Sequence, residues 1–256
     1  MAIHKDTILG AAVTSVTKAE TGTLSIPSGK GGVLTSVEAV VFPVSETVVN
    51  SGGLVTLTNG SLDWVPFEFL TKTLSSITLG GANLTKTKIT CKKTLPADST
   101  ITANYTPFDD QSQILALTFT WDDKITVTAK QTFSLGSLGT AITQATIDKD
   151  HNTIKIPVGK EGKIERMQTL VLGSAETILN SGGKVDLFNN ASDPSILPYS
   201  FYVGGATVLG TGGFEQQPTM EEGLDLDARG NSTFTADYTP QDNQSQLLAM
   251  VLFWES

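Results

Sequence analysis

The phrase "ETVVNSGG" at residues 46–53 returns as "ETILNSGG" at 176–183, 130 residues further along a 256-residue chain. The match is longer than the phrase. "TLSIPSGKGGVLTSVEAVVFPVSETVVNSGGLVTLTN" (23–59) aligns without a gap to "TIKIPVGKEGKIERMQTLVLGSAETILNSGGKVDLFN" (153–189). Farther on, "STITANYTPFDDQSQILALTFTW" (99–121) aligns with "STFTADYTPQDNQSQLLAMVLFW" (232–254) at an offset of 133. Two blocks in the same order mark an internal duplication. Each copy, at ~120 residues, is long enough to bury a core of its own.

Within a copy the local signals are those of strands. Apolar and polar residues alternate in "LVTLTN" (54–59), "KITCK" (88–92), "STITANY" (99–105) and "KITVTA" (124–129), with many Val, Ile and Thr. Turn clusters separate them: "PSGKGG" (27–32), "NSGG" (50–53), "TLGGAN" (78–83) and "TPFDDQSQ" (106–113). About eight strands fit the first copy, at roughly 22–27, 33–42, 53–59, 65–71, 75–79, 86–93, 99–105 and 113–121. Strands of this length and spacing predict an all-β protein of two tandem antiparallel jelly-roll (β-sandwich/barrel) domains, with a seven-stranded immunoglobulin-like sandwich as the rival. The expected organisation is an N-terminal arm at 1–22, a first jelly roll at 23–123 and a second at 124–256. "NSGG" is read as a sharp corner each barrel needs once, and "YTPFDDQSQ" as a hairpin leading into the last strand, which ends in Trp121 or Trp254.

Charge and cysteine usage narrow the function classes. The net charge is −9, and only Arg166 and Arg229 are arginines among 17 basic residues. Arginine is the residue best suited to bidentate phosphate contacts, so sequence-specific nucleic-acid binding finds no support. Residues 1–126 carry 9 basic and 11 acidic groups, net −2, whereas 127–256 carry 8 and 15, net −7. A lone Cys91 excludes an intrachain disulfide or a cysteine metal cluster and suits synthesis in a reducing cytoplasm. No apolar run approaches the ~18–20 residues that span a bilayer as a helix. The start "MAIHKDTILGAAVTSV" lacks a secretory-signal pattern, so it is expected in the mature chain.

Catalysis needs titratable groups converging in a pocket, and these are scarce. His4 is expected near a mobile terminus and His151 in the polar stretch "DKDHN", with no HxH or HExxH spacing. "PSGKGG" and its partner "PVGKEG" lack Walker A spacing and read as a shared hairpin turn. In "EEGLDLDARGN" (221–231), Asp225 and Asp227, with Glu221 and Glu222, are candidate oxygen ligands for calcium, against a solvated loop as the plainer reading. No catalytic residue, cofactor or metal is expected. Trp64, Tyr199 and Tyr202 are candidates for a glycan or partner contact, and Phe67 and Phe69 read as an inner strand face.

With the paired blocks and the missing active site, the chain resembles the double jelly-roll major capsid proteins of tailless icosahedral, often internally membraned viruses. That resemblance implies a structural, non-enzymatic protein with two barrels side by side, three chains forming a pseudo-hexagonal capsomer. It further implies self-contacts through lateral faces, minor capsid proteins as partners, an arm before Thr23 that docks on a neighbour or an underlying membrane, and location in the virion capsid after synthesis in host cytoplasm. Two other classes stay open: a tandem β-sandwich adhesin, spike or decoration protein that binds glycans, and an extracellular filament subunit.

Overall fold

The computed structural model describes residues 2–14, 17–44, 52–60, 64–71, 73–75, 86–108, 112–125, 130–143, 148–173, 182–190, 198–204, 214–216, 218–243 and 245–256. Among them there are strands and no helix. The first copy supplies β1 (Ile3–Val13), β2 (Ala19–Ser25), β3 (Gly32–Pro43), β4 (Gly53–Asn59), β5 (Phe67–Leu70), β6 (Thr73–Ser75), β7 (Thr87–Leu95), β8 (Thr100–Pro107) and β9 (Gln113–Asp122). The second supplies β10 (Thr132–Leu138), β11 (Asp148–Lys155), β12 (Gly162–Gly173), β13 (Gly182–Asn189), β14 (Tyr199–Gly204), β15 (Phe214–Gln216), β16 (Thr219–Ala228), β17 (Thr233–Pro240) and β18 (Gln246–Glu255).

The pairing is the same in both copies. One face of the first barrel runs β1-β9-β3-β7 and the other β2-β8-β4-β5; the second barrel repeats this as β10-β18-β12-β16 and β11-β17-β13-β14. Most successive strands alternate between the two faces, as a jelly roll requires. The expected architecture is therefore the observed one: two tandem antiparallel jelly rolls from a duplication. The expected strand at 75–79 and "KITVTA" fall largely outside the described residues, as do Asn50 and Ser51 of the first "NSGG".

Two local readings need correction. "PSGKGG" and "YTPFDDQSQ" are not hairpins, because β2 and β3, like β8 and β9, lie on opposite faces of the barrel and the chain crosses over there. Nor are residues 3–13 and 19–22 a free arm, because they belong to β1 and β2 of the first barrel. Residues 3–13 pair with β9 from Ile3↔Asp122 to Val13↔Gln113, and His4 is held by Asp123 (Nε2 to Oδ2, 2.8 Å) while stacking on Trp121 at 5.2 Å between ring centroids. Deleting residues 2–13 should thus expose one whole edge of β9 and its end Trp. The expected outcome is loss of the first barrel's cooperative urea transition, whereas a free arm would leave it unchanged.

Three of the duplicated phrases meet in one buried knot. In the first barrel Gln113 Oε1 accepts both the Gly52 amide (2.9 Å) and the Tyr105 hydroxyl (2.8 Å); in the second, Gln246 Oε1 accepts the Gly182 amide (2.7 Å) and the Tyr238 hydroxyl (2.9 Å). Both glutamines and both tyrosines are fully buried, and burial pushes the Tyr238 phenol above its ordinary range. The second glycine of each "NSGG" is fixed by close approach: a Cβ on Gly53 or Gly183 would collide with the Thr106 or Thr239 carbonyl and the adjoining tyrosine ring. "NSGG", "YTP" and "QSQ" recur together because they build one crossover.

At the other end of each barrel the closing tryptophan is pinned. Trp121 Nε1 donates to the Lys30 carbonyl (2.9 Å) and Trp254 Nε1 to the Lys160 carbonyl (2.7 Å). The loop that offers that carbonyl turns at Gly29 (φ 68°) or Gly159 (φ 76°), a left-handed position favouring glycine. The glycine–lysine loop serves an indole and not a phosphate.

Candidate assembly interface

The barrels are joined edge to edge. Ser134 of β10 pairs in parallel with Phe67 of β5, which fuses the second face of one barrel to the first face of the next in an eight-stranded sheet, β16-β12-β18-β10-β5-β4-β8-β2. Side chains repeat the backbone's work across this seam. The Gln168 amide lies along β5, accepting from Leu70 N–H (2.8 Å) and donating to Leu70 C=O (3.1 Å). Glu68 accepts from Thr56 Oγ1 (2.8 Å) and Gly136 N–H (2.6 Å), and its own amide donates to Ser134 Oγ (2.8 Å). Arg166 reaches the Thr90 carbonyl (3.3 Å) and lies over Phe253.

The apolar part of the seam comes from β18. Leu248, Met250, Leu252 and Trp254 point into the second barrel's core, while Ala249, Val251 and Phe253 belong to the core cluster of the first. Both faces of this strand are therefore buried, and Phe67 packs edge-on to Phe253 with centroids 6.3 Å apart. The sequence carried the signal. Where β9 reads "ILALTFTW", with Thr118 and Thr120 outward, β18 reads "LLAMVLFW", with Val251 and Phe253 in their places. A strand that loses its polar alternation is covered on its second face.

A buried amine closes the seam at the end where the tryptophans sit. Lys93 of β7 is fully buried, with Nζ 3.9 Å from the centroid of Phe133 and 5.4 Å from that of Trp64. Its Nζ has no hydrogen-bond partner among the described residues. Lys160 Nζ lies 5.2 Å from the same Phe133 ring, which also stacks on Trp254. Burial, reinforced by Lys160, pushes the Lys93 ammonium down to about 7, and burial pushes the neighbouring Cys91 thiol up to about 12. That thiol contacts the Leu34 carbonyl at 3.7 Å and is inert in character.

The residues singled out from sequence scatter. Trp64 is buried, donating its indole N–H to the Thr94 carbonyl (2.8 Å), so it offers no platform to a glycan. A tryptophan in a polar loop looks exposed, but its apolar bulk is satisfied only by the barrel floor. Tyr199 is half-buried against Phe201, and Tyr202 is 82% exposed. Asp225 and Asp227 hold the Lys163 ammonium at 3.3 and 2.7 Å, and that bond keeps the Asp227 carboxyl below its ordinary range. Their charge is already answered by lysine, and no group of three His, Cys, Asp or Glu able to hold a metal occurs among the described residues. His151, within the polar stretch "DKDHN", is nevertheless buried, its Nε2 accepting the Leu248 amide at 3.2 Å.

No protein-family model and no curated protein matches the chain. Solved structures do. The major capsid protein of the Sulfolobus turreted icosahedral virus superposes with a TM-score of 0.50 at 10% identity over 99% of this chain and 97% of that one. The chain shares the double jelly-roll fold of that capsid protein. PNGF-II also reaches 0.50, at 11% identity, with this chain spanning only 60% of its length. PNGase F, a glycosylasparaginase from Flavobacterium meningosepticum, reaches 0.48 at 10% identity. The capsid protein and PNGase F, the latter over 99% of this chain and 96% of its own, are both matched over whole chains, and identities this low speak for fold alone.

Proposed function

We propose that the chain is a major capsid protein, three copies of which form a pseudo-hexagonal capsomer in an icosahedral shell. The observation that carries this reading is the fused sheet: it fixes two barrels of the same fold side by side, so one chain supplies two barrels and three chains supply six. The role is mechanical and not enzymatic, and it places the protein in the virion after synthesis in host cytoplasm. Minor capsid proteins and any underlying membrane are the other partners it implies. Exposed Ile3, Ile125 and Val158 lie at the end of the barrels nearest the closing tryptophans and offer apolar contact there.

Native mass by light scattering, with negative-stain images of the same peak, tests this. A compact trimer with a six-cornered outline is expected from a 27.1 kDa chain; a stable monomer would refute it. Exposed Tyr202 supports a second reading, a glycan-binding module, which predicts a glycan-array signal lost in Tyr202→Ala. Release of glycans from a glycopeptide would instead favour the chemistry named for PNGase F.

A further inference from the structure

The seam inside the chain has two loose ends. β10, the strand that docks on β5, corresponds to β1: Phe133 stacks on Trp254 as His4 does on Trp121, and the registers Ser134↔Phe253 and Lys5↔Thr120 coincide in the duplicated blocks. By the same logic β5 corresponds to β14, since Leu54↔Leu70 and Leu57↔Phe67 match Lys184↔Tyr202 and Leu187↔Tyr199. Yet the two members of each pair differ in cover. All of Phe67–Leu70 is buried, whereas Ser200 and Tyr202 are exposed. Likewise Thr132, Phe133 and Ser134 are buried, whereas Ile3 and Lys5 are exposed. Among the described residues β1 and β14 each end their sheet with an unpaired edge.

We propose that β14 of one chain docks on β1 of a second copy, repeating the β5–β10 seam between chains. In this contact Tyr199 pairs with the next chain's Lys5 as Phe67 pairs with Ser134. Glu38, which occupies the place of Gln168, accepts the Tyr202 amide as Gln168 accepts that of Leu70. The carboxylate of Glu68, hydrogen-bonded to Thr56, is replaced by that of Asp186, hydrogen-bonded to Ser200. Lys5, in the place of Ser134, lies beside that carboxylate, which Lys184 of its own strand already holds at 2.8 Å, so the pairing rests on strand register and not on this charge. The contact is heterologous, so successive chains join head to tail. The inference rests on the reading of this protein as a building block of many copies, and adds which edges meet.

The test is a paired-cysteine variant, Lys5→Cys with Tyr199→Cys, in the full-length chain under a mild oxidant. Strands paired in register lie ~4.8 Å apart, inside disulfide reach, and buried Cys91 contributes no competing thiol. Most chains are expected as covalent dimers and trimers on a non-reducing gel, with each single-cysteine variant staying monomeric. A second variant, Tyr202→Glu, leaves both cores untouched and is expected to shift the native mass to monomer with unchanged thermal unfolding. A native trimer that forms neither cross-link nor Tyr202→Glu monomers overturns the inference and leaves the capsomer standing. A native monomer overturns both. Cross-linked ladders that grow beyond trimers support the seam and overturn the closed capsomer.

Discussion

Lys93→Met is expected to stabilise the protein at pH 7 by about 4 kcal/mol and to flatten its pH dependence above neutrality. The ammonium titrates near 7 in the folded chain and near 10.4 when unfolded. A depressed lysine means that the unfolded state binds more protons throughout that window, so stability rises with pH from about 7 to 10 and the penalty is complete below about 7. Its cause is geometric: a charge held between Phe133 and Trp64 with no acceptor among the described residues and with Lys160 nearby. Cation–π attraction of ~2 kcal/mol offsets part of the desolvation and does not reverse it. Methionine keeps the length and apolar contact of the stem. Urea unfolding of both proteins at pH 7, 8.5 and 10 checks this, and the expectation fails if Lys93→Met is the less stable at pH 7 or keeps the wild-type slope.

The second large effect is at the crossover knot, with the opposite sign. Gln113→Ala leaves the Tyr105 hydroxyl and the Gly52 amide facing a cavity, and Gln246→Ala does the same to Tyr238 and Gly182. Each buried polar group left without its partner costs ~1–3 kcal/mol, so each substitution should lose about 3–5 kcal/mol once the cavity is included. Because the two knots lie in separate barrels, the losses should add in the double variant. Tyr105→Phe removes only one donor and should cost about 1 kcal/mol. Equal, small losses for all of these in thermal unfolding would show that the knot holds nothing.

Strand periodicity made most of the fold legible, because one buried face per strand writes itself as alternation in "STITANY" or "LVTLTN". The first strand of each barrel escaped that reading. "IHKDTIL" and "TFSLGSL" share no residue pattern, since one lies on an open edge and the other is enclosed by β5; their equivalence is visible only in what they stack on, Trp121 and Trp254. Crossovers were taken for hairpins at "PSGKGG" and "YTPFDDQSQ" because a turn's residues state that the chain reverses, not which sheet receives it. The knot was present in the sequence as three co-retained phrases, but Gln113 and Gln246 sit in a polar run where burial leaves no mark. Lys93 carries no signal at all, because Phe133, the nearer of the two rings that enclose it, comes from the other copy.

The doubly covered last strand also sets an order of events during synthesis. The first barrel is complete once Trp121 has left the ribosome, but the edge and face that receive the second barrel, Phe67 to Leu70, stay without lasting cover until β18 has been made, because β10 meets that edge through one residue pair and is held along its length by β18. At ~5–20 residues per second that interval lasts roughly 7–27 s. An apolar strand edge bare for that long is a template for the same strand of another nascent chain. Slowing translation over residues 124–254 should therefore raise the insoluble fraction more than slowing it over the first hundred.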